Sequence, residues 1–386
     1  MPQIIFPVDS VAISLKRRVE APASQSSPES SPESRTKPLP RGILKHKECI
    51  SALVEQNCPS LVEKYTAPWF LFNGHMQTLY CIVGDFTNVD PVVYRRGLDF
   101  TPPERDALPD DTPIVVVSHG LTGGSHEGYI RAILSPACTP KDKGGLGYRA
   151  VVVNFRGCAG VPITSQNLYS AGNTNDLRTA LLYISKQYPR APLLGLGFSL
   201  GANVMIRYMG EEGAQCRLLS GCALGCPWNL AHNGMAIAGS FMGKFWTRGM
   251  GNNMVGLVQR HATSLSGRVG VAEAVSEALA LRFPALDKFD LTFTRVLAGY
   301  PTEVGVQEYY AAEGSHDALK EIRRPLLAIN AADDPVVQSF PKTQEEIDSD
   351  WTTMVITPGG GHLGWFEPVA WDVTGTKRWT TKPVLE

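Results

Sequence analysis

From residue 113 onward the chain carries six short apolar runs, each closed by a glycine, an asparagine or another turn-former. They are residues 114–117, 150–153, 192–196, 219–224, 325–329 and 353–356. Runs this short and this continuous suit strands covered on both faces, as in a parallel sheet, better than the alternation of half-exposed strands. Between them, residues 175–187 and 200–211 have helical spacing, and the alternation of strand with helix predicts a doubly wound α/β sheet. Residues 227–314 interrupt that alternation with mostly helical patterning, for example over 271–281, which predicts a largely helical cap inserted between two core strands.

The N-terminal part reads differently. Residues 21–40, APASQSSPESSPESRTKPLP, cannot bury enough apolar surface to offset their ordering entropy and are expected to be a disordered linker. The predicted organisation is an N-terminal segment over 1–42 and one folded domain over 43–386, with 227–314 as the cap. No unit of 20–50 residues recurs, so solenoids and propellers are excluded. Short apolar runs broken by Pro7 and Asp9 precede Lys16, Arg17 and Arg18, the reverse of a secretory leader's order. No run is long enough to span a bilayer. The expectation is an intracellular protein, cytoplasmic or peripherally attached to a membrane, with room for peripheral lipid contact.

Charge narrows the function classes. Lys and Arg total 36 against 37 Asp and Glu, net −1, so no basic surplus is available for nucleic acid. The eight cysteines are too dilute for a disulfide scaffold and none stands in a C-x-x-C pair, which predicts free thiols in a reducing compartment and no metal centre.

The sharpest chemical signal is Gly197-Phe198-Ser199-Leu200-Gly201, a G-x-S-x-G entered by an apolar strand and left by a helix. That context predicts a nucleophile elbow, with small residues two before and two after the serine so that strand and helix can approach closely. A serine hydroxyl needs a base and a group to orient that base. On such a sheet the acid and the histidine follow the serine in the chain. Asp333 and Asp334 follow the run at 325–329; Asp334, directly before Pro335, is the preferred acid over Asp333, whose ordinary role would be that of a turn or cap residue. Gly359-Gly360-Gly361-His362 follows the run at 353–356, and His362 is the expected base. The other seven histidines lack that late glycine loop. For the oxyanion, the backbone N–H groups of Leu200 and of Leu121, in the loop after 114–117, are the candidate donors. His119 in that loop has a rival reading as a metal ligand, with no second ligand at convincing spacing. Residues 359–364 also spell G-x-G-x-x-G, but only 22 residues follow, too few for a dinucleotide-binding unit. No cofactor is expected.

An ordered set of stretches adds a resemblance. It comprises Pro68-Trp69 with Asn73-Gly74-His75-Met76-Gln77-Thr78, then residues 119–131, 154–160 and 169–176. It continues with 197–204, Tyr309-Tyr310, 325–335 and 357–367. Together these resemble one branch of the α/β-hydrolase superfamily, which contains fungal medium-chain fatty-acid ethyl ester synthase/esterases, bacterial YheT-type carboxylesterases and an animal phospholipase branch. The resemblance implies the α/β-hydrolase fold, a triad of Ser199, Asp334 and His362, and action on fatty acyl esters, with some members passing the acyl group to a small alcohol. The expected function is therefore a serine hydrolase or acyltransferase whose partners are an acyl ester or thioester and a water or alcohol acceptor. Two alternatives stand beside it: an enzyme tailoring one specific natural product, and a ligand-binding protein on a hydrolase scaffold. Met235, Phe241, Met242, Phe245, Trp246, Met250 and Met254 are candidate walls of an acyl pocket.

Overall fold

The strand Ile114–Ser118 (β3) is buried at all five positions, and its side chains alternate between two separate cores. Ile114 and Val116 face one, Val115 and Val117 the other. The next strand, Arg149–Val153 (β4), divides likewise, with Val151 and Val153 on the first side and Ala150 and Val152 on the second. This is why these runs read as continuous hydrophobicity: both faces of the sheet are covered, so neither register position needs a polar residue.

The computed structural model describes residues 2–5, 54, 56–86, 90, 92, 98–164, 167–267, 270–369 and 372–386. The Ser/Pro-rich stretch over 21–40 lies outside them. With Gln3–Ile5 (β1), Asp99–Thr101 (β2), Leu193–Phe198 (β5), Leu218–Leu224 (β6), Leu326–Ala331 (β7) and Thr352–Thr357 (β8), the main sheet has the order β1-β8-β7-β6-β5-β3-β4-β2. All pairings from β4 through β8 are parallel. The two edges, β1 on β8 and β2 on β4, are antiparallel. A separate hairpin joins Phe366–Val369 (β9) to Asp372–Arg378 (β10). The fold is an α/β-hydrolase fold, mostly parallel with flanking helices.

Two differences from the sequence reading concern the edges. Strand β1 falls inside the N-terminal 42 residues that were set apart from the domain, and β2 was not expected at all. Each is three residues long and held by backbone pairing to a neighbour. A run that short has no periodicity to read.

The helices that matter below are Gly74–Val83 (α1), Gly128–Cys138 (α2), Asn175–Gln187 (α3) and Leu200–Glu212 (α4). Helix α3 buries Leu177, Ala180, Leu181 and Ile184, the spacing of one helical face. Between β6 and β7 the chain forms Leu230–Gly239 (α5), Phe241–Leu265 (α6), Val271–Ala280 (α7) and Val306–Glu313 (α8). Ser240 caps α6, its Oγ accepting the Gly243 N–H at 2.9 Å. The seven cysteines among the described residues are unpaired.

The chain leaves β3 to form β4 on one side and returns to form β5 on the other. The carboxyl ends of β3 and β5 therefore meet where the strand order reverses, the position at which open α/β sheets bind ligands. The loop after β3 and the turn after β5 both lie there.

Candidate active site

Ser199 joins β5 directly to α4, with φ +50° and ψ −120°, in a region where a side chain is strained. The turn is held because the Ser199 N–H donates to the Leu224 carbonyl of the adjacent strand at 2.8 Å. It is also why Gly201 is required: a Cβ there would collide with the Ser118 carbonyl oxygen at the end of β3.

His362 reaches Ser199 from the loop after β8. Its Nε2 lies 2.8 Å from Ser199 Oγ, and its Nδ1 lies 2.8 Å from Asp334 Oδ2. The carboxylate can only accept, so Nδ1 carries the proton and Nε2 presents its lone pair to the hydroxyl. Asp334 is wholly enclosed, and its second oxygen, Oδ1, accepts the N–H groups of Val336 at 2.7 Å and Val337 at 2.8 Å. One oxygen is thus fixed by the loop, leaving the other to orient the imidazole. Asp333 turns away from the imidazole: its Oδ1 accepts the Gly361 N–H at 2.9 Å. Burial, and secondarily the charge of Asp334, raise its carboxyl above the ordinary range.

The loop after β3 supplies the opposite wall. Gly120 N–H donates to Tyr129 Oη, Thr122 N–H to Tyr169 Oη and Gly123 N–H to Gly120 O. Among the described residues the Leu121 and Leu200 N–H groups have no such acceptor, and both residues line one cavity with Ser199. These are two donors available to a negatively charged oxygen at the serine.

His119 is buried between the β3 and β4 loops. Its Nδ1 donates to the Gly120 carbonyl at 2.7 Å and its Nε2 accepts the Phe155 N–H at 2.9 Å. Both ring nitrogens are therefore committed to backbone, which corrects the metal-ligand alternative. Burial pushes the imidazole down to about 4. Between about pH 6.5 and 4 the unfolded chain holds this proton and the folded one does not, so stability must fall as pH falls. Going from pH 7 to 5, the wild type is expected to lose about 2 kcal/mol more unfolding free energy than a His119→Gln variant, as measured by urea titration.

A part of the site that carried no role in the sequence reading is α1. Asn73 caps it, Oδ1 accepting the Met76 N–H at 2.9 Å. The Thr78 hydroxyl donates to Gly74 O at 2.6 Å and accepts the His362 N–H at 2.7 Å. Gln77 Oε1 accepts from Phe366 N–H and Tyr65 Oη. Arg378 closes the same loop by donating to the carbonyls of Leu363 and Gly364. Gly361, with φ +58°, lies so close to α1 that a Cβ would strike the Gly74 carbonyl oxygen. The available signal was a polar Gln-Thr pair inside an otherwise apolar helical stretch.

The cavity that Ser199 opens into has a volume of about 310 Å³, with Ile237, Ala238, Met250, Met254 and Leu286 among its walls. Of the candidate pocket walls, only Met250 and Met254 line it. Trp246 is buried and donates its Nε1–H to His75 Nδ1 at 3.0 Å, while Met235, Phe241, Met242 and Phe245 are exposed. Helical spacing does not tell which face of a cap helix looks inward when both faces carry apolar residues.

Residues 114–371 match the sequence profile of the alpha/beta hydrolase family. The chain is similar to a monoacylglycerol lipase of Saccharomyces cerevisiae, at 28% identity over 385 residues, covering 87% of this chain and 83% of the relative. A phospholipase ABHD3 of Homo sapiens is 27% identical, covering 83% and 78%. A medium-chain fatty acid ethyl ester synthase/esterase 2 of Saccharomyces cerevisiae is 30% identical, covering 72% and 62%. The profile match takes in well over half of the chain, from β3 through the loop that bears His362, and the chain belongs to the alpha/beta hydrolase family.

Proposed function

We propose that the protein is a serine hydrolase and acyltransferase of fatty acyl esters, acting through an acyl-enzyme on Ser199. The observation that carries this reading is the unbroken row from Asp334 through His362 to Ser199, with both contacts at 2.8 Å. The Ser199 hydroxyl attacks the ester carbonyl as His362 Nε2 takes its proton. Negative charge on the tetrahedral oxygen is met by the Leu121 and Leu200 N–H groups, and Asp334 steadies the imidazolium. Collapse breaks the bond to the alcohol, which leaves with the proton from Nε2. Water or a second alcohol then gives a proton to Nε2, attacks the acyl-enzyme, and Ser199 departs with that proton.

The apolar cavity supports an acyl chain as the bound part, and residues 227–314 serve as a cap over Ser199. The names of the three relatives concern a monoacylglycerol, a phospholipid and an ethyl ester; all three have an acyl ester bond.

A fluorophosphonate probe is expected to label the folded protein, with the adduct on Ser199 in tandem mass spectrometry. Folded protein that stays unlabelled, or an adduct on another residue, overturns the reading. Product analysis of an acyl ester with and without ethanol divides hydrolysis from alcohol acylation.

Thr78 is a positioning residue in this scheme. Thr78→Val keeps the shape but removes the hydroxyl that holds the His362 N–H. A misplacement of about 1 Å can cost about 100-fold, so kcat is expected to fall between about 10- and 100-fold at nearly constant KM. Thr78→Ser should recover most of the rate; a purely steric role would leave Ser no better than Val.

A further inference from the structure

Helix α1 is built inside out. Its buried positions include the polar Gln77 and Thr78, whereas Met76, Leu79, Ile82 and Val83 are exposed, Ile82 at 66% and Val83 at 68%. Just before it, Trp69 and Phe72 are exposed at 78% and 72%. The first turns of α6 continue the same face. The Trp246 ring lies beside His75, nearly coplanar with it at 6.1 Å between centroids and hydrogen-bonded to it, and meets Phe245 edge-on at 5.5 Å, while Phe241, one turn earlier, is 88% exposed. An apolar face assembled from two distant parts of the chain is larger than the scattered hydrophobics of an ordinary surface.

Charge says what covers it. Residues 64–84 contain no aspartate or glutamate, and neither do residues 213–272. Lys244 and Arg248 are exposed among the apolar side chains of α6, and Lys64, beside the equally exposed Glu63, precedes Trp69 by five residues. A chain whose net charge is −1 thus has, within α1, the turn before it and the first half of α6, aromatic and aliphatic residues with Lys244 and Arg248 and no carboxylate; the exposed acids Glu63 and Asp85 lie just outside these segments. A second copy placed face to face would bring these cations against themselves, whereas the pattern of apolar anchors with Lys and Arg suits an anionic interface. Lys244, Thr247 and Arg248 also line the cavity of Ser199, together with Asp287, so the α6 part of the face adjoins that cavity.

We propose that the face formed by α1, the turn Trp69–Leu71 and the first half of α6 docks on an anionic phospholipid surface, holding the mouth of the Ser199 cavity against it. No helix among the described residues is long and apolar enough to cross a membrane, so this contact is interfacial. The proposal goes beyond the reaction assigned above and does not rest on it, because binding is read without turnover.

The test is co-sedimentation of the full chain with extruded vesicles of phosphatidylcholine, alone or with a third of it replaced by phosphatidylserine. Binding to the phosphatidylserine vesicles is expected to be at least about tenfold tighter and to weaken with salt. The double variant Phe241→Ser/Ile82→Ser should lose about tenfold or more of that binding. Neither residue lines the cavity, so turnover of a water-soluble short-chain ester should stay unchanged and report that the variant is folded. Lys64→Glu, a single surface exchange, should weaken binding to phosphatidylserine vesicles alone. Hydrogen exchange over 76–83 should slow when vesicles are added. Failure to bind vesicles, equal binding to both compositions, or wild-type binding by the double variant would each overturn the proposal. So would protection of 76–83 already complete without lipid, or a dimer that the double variant dissolves, since either would mean that protein covers the face.

Discussion

Replacing Ser199 with alanine is expected to lower kcat for a p-nitrophenyl acyl ester about 10⁶-fold while leaving KM close to its wild-type value. The exchange removes one oxygen that in the proposed mechanism is the nucleophile. It leaves the cavity and the Leu121 and Leu200 N–H groups in place, so substrate still binds. His362→Ala should cost a similar factor, because the imidazole acts only through the hydroxyl 2.8 Å away. The double variant should be no slower than either single one, since residues that work as a unit lose their effect together. Steady-state kinetics at matched protein concentration, with circular dichroism to check folding, measures all three. A Ser199→Ala enzyme within about tenfold of wild type, or losses that multiply in the double variant, would mean that the hydroxyl and the imidazole do not share one step.

Exchange of Asp334 for asparagine is expected to cost about 10⁴-fold in kcat without unfolding the protein. Asparagine keeps the volume of the enclosed side chain, and its carbonyl oxygen can still accept from Val336 and Val337 as Oδ1 does. Its amide then faces His362 Nδ1 and donates to it. The imidazole proton is forced onto Nε2, which would point a donor at Ser199 and leave the hydroxyl without a base. Asp333→Asn makes the control. That carboxylate holds the Gly361 N–H, a contact an asparagine oxygen can also accept, so its loss should stay below about 100-fold. Parallel pH–rate profiles with a circular dichroism check distinguish the two. If Asp333→Asn were the more damaging, the orienting acid would be the wrong one of the pair.

The central sheet was legible because its strands are short, apolar on both faces and separated by turn residues. The run at 114–117 grew by one residue into β3, and the helix expected at 175–187 has those bounds in the structure. The candidate site was legible where its residues follow strands. Ser199, Asp334 and His362 each sit just past one of the parallel strands, and parallel pairing brings those ends to one edge of the sheet. The part that escaped was α1. Its buried residues are polar and its exposed ones apolar, the reverse of the pattern that identifies a surface helix. The edge strands β1 and β2 escaped for a different reason: three residues pair by backbone hydrogen bonds that any side chains allow.

By itself, then, the order of residues along the chain determined the parallel sheet, the sharp turn at Ser199 and the succession of serine, acid and histidine. All three are written in local chemistry: runs of branched apolar residues, glycines at close approaches, carboxyl and imidazole groups after strands. Only the tertiary structure decided which of two adjacent aspartates turns to His362, which side chains of α6 line the cavity and which face outward, and that a threonine nearly 300 residues before the histidine holds its backbone. These depend on directions in space between elements far apart in sequence, and a hydrogen bond of that kind leaves no periodicity in either partner.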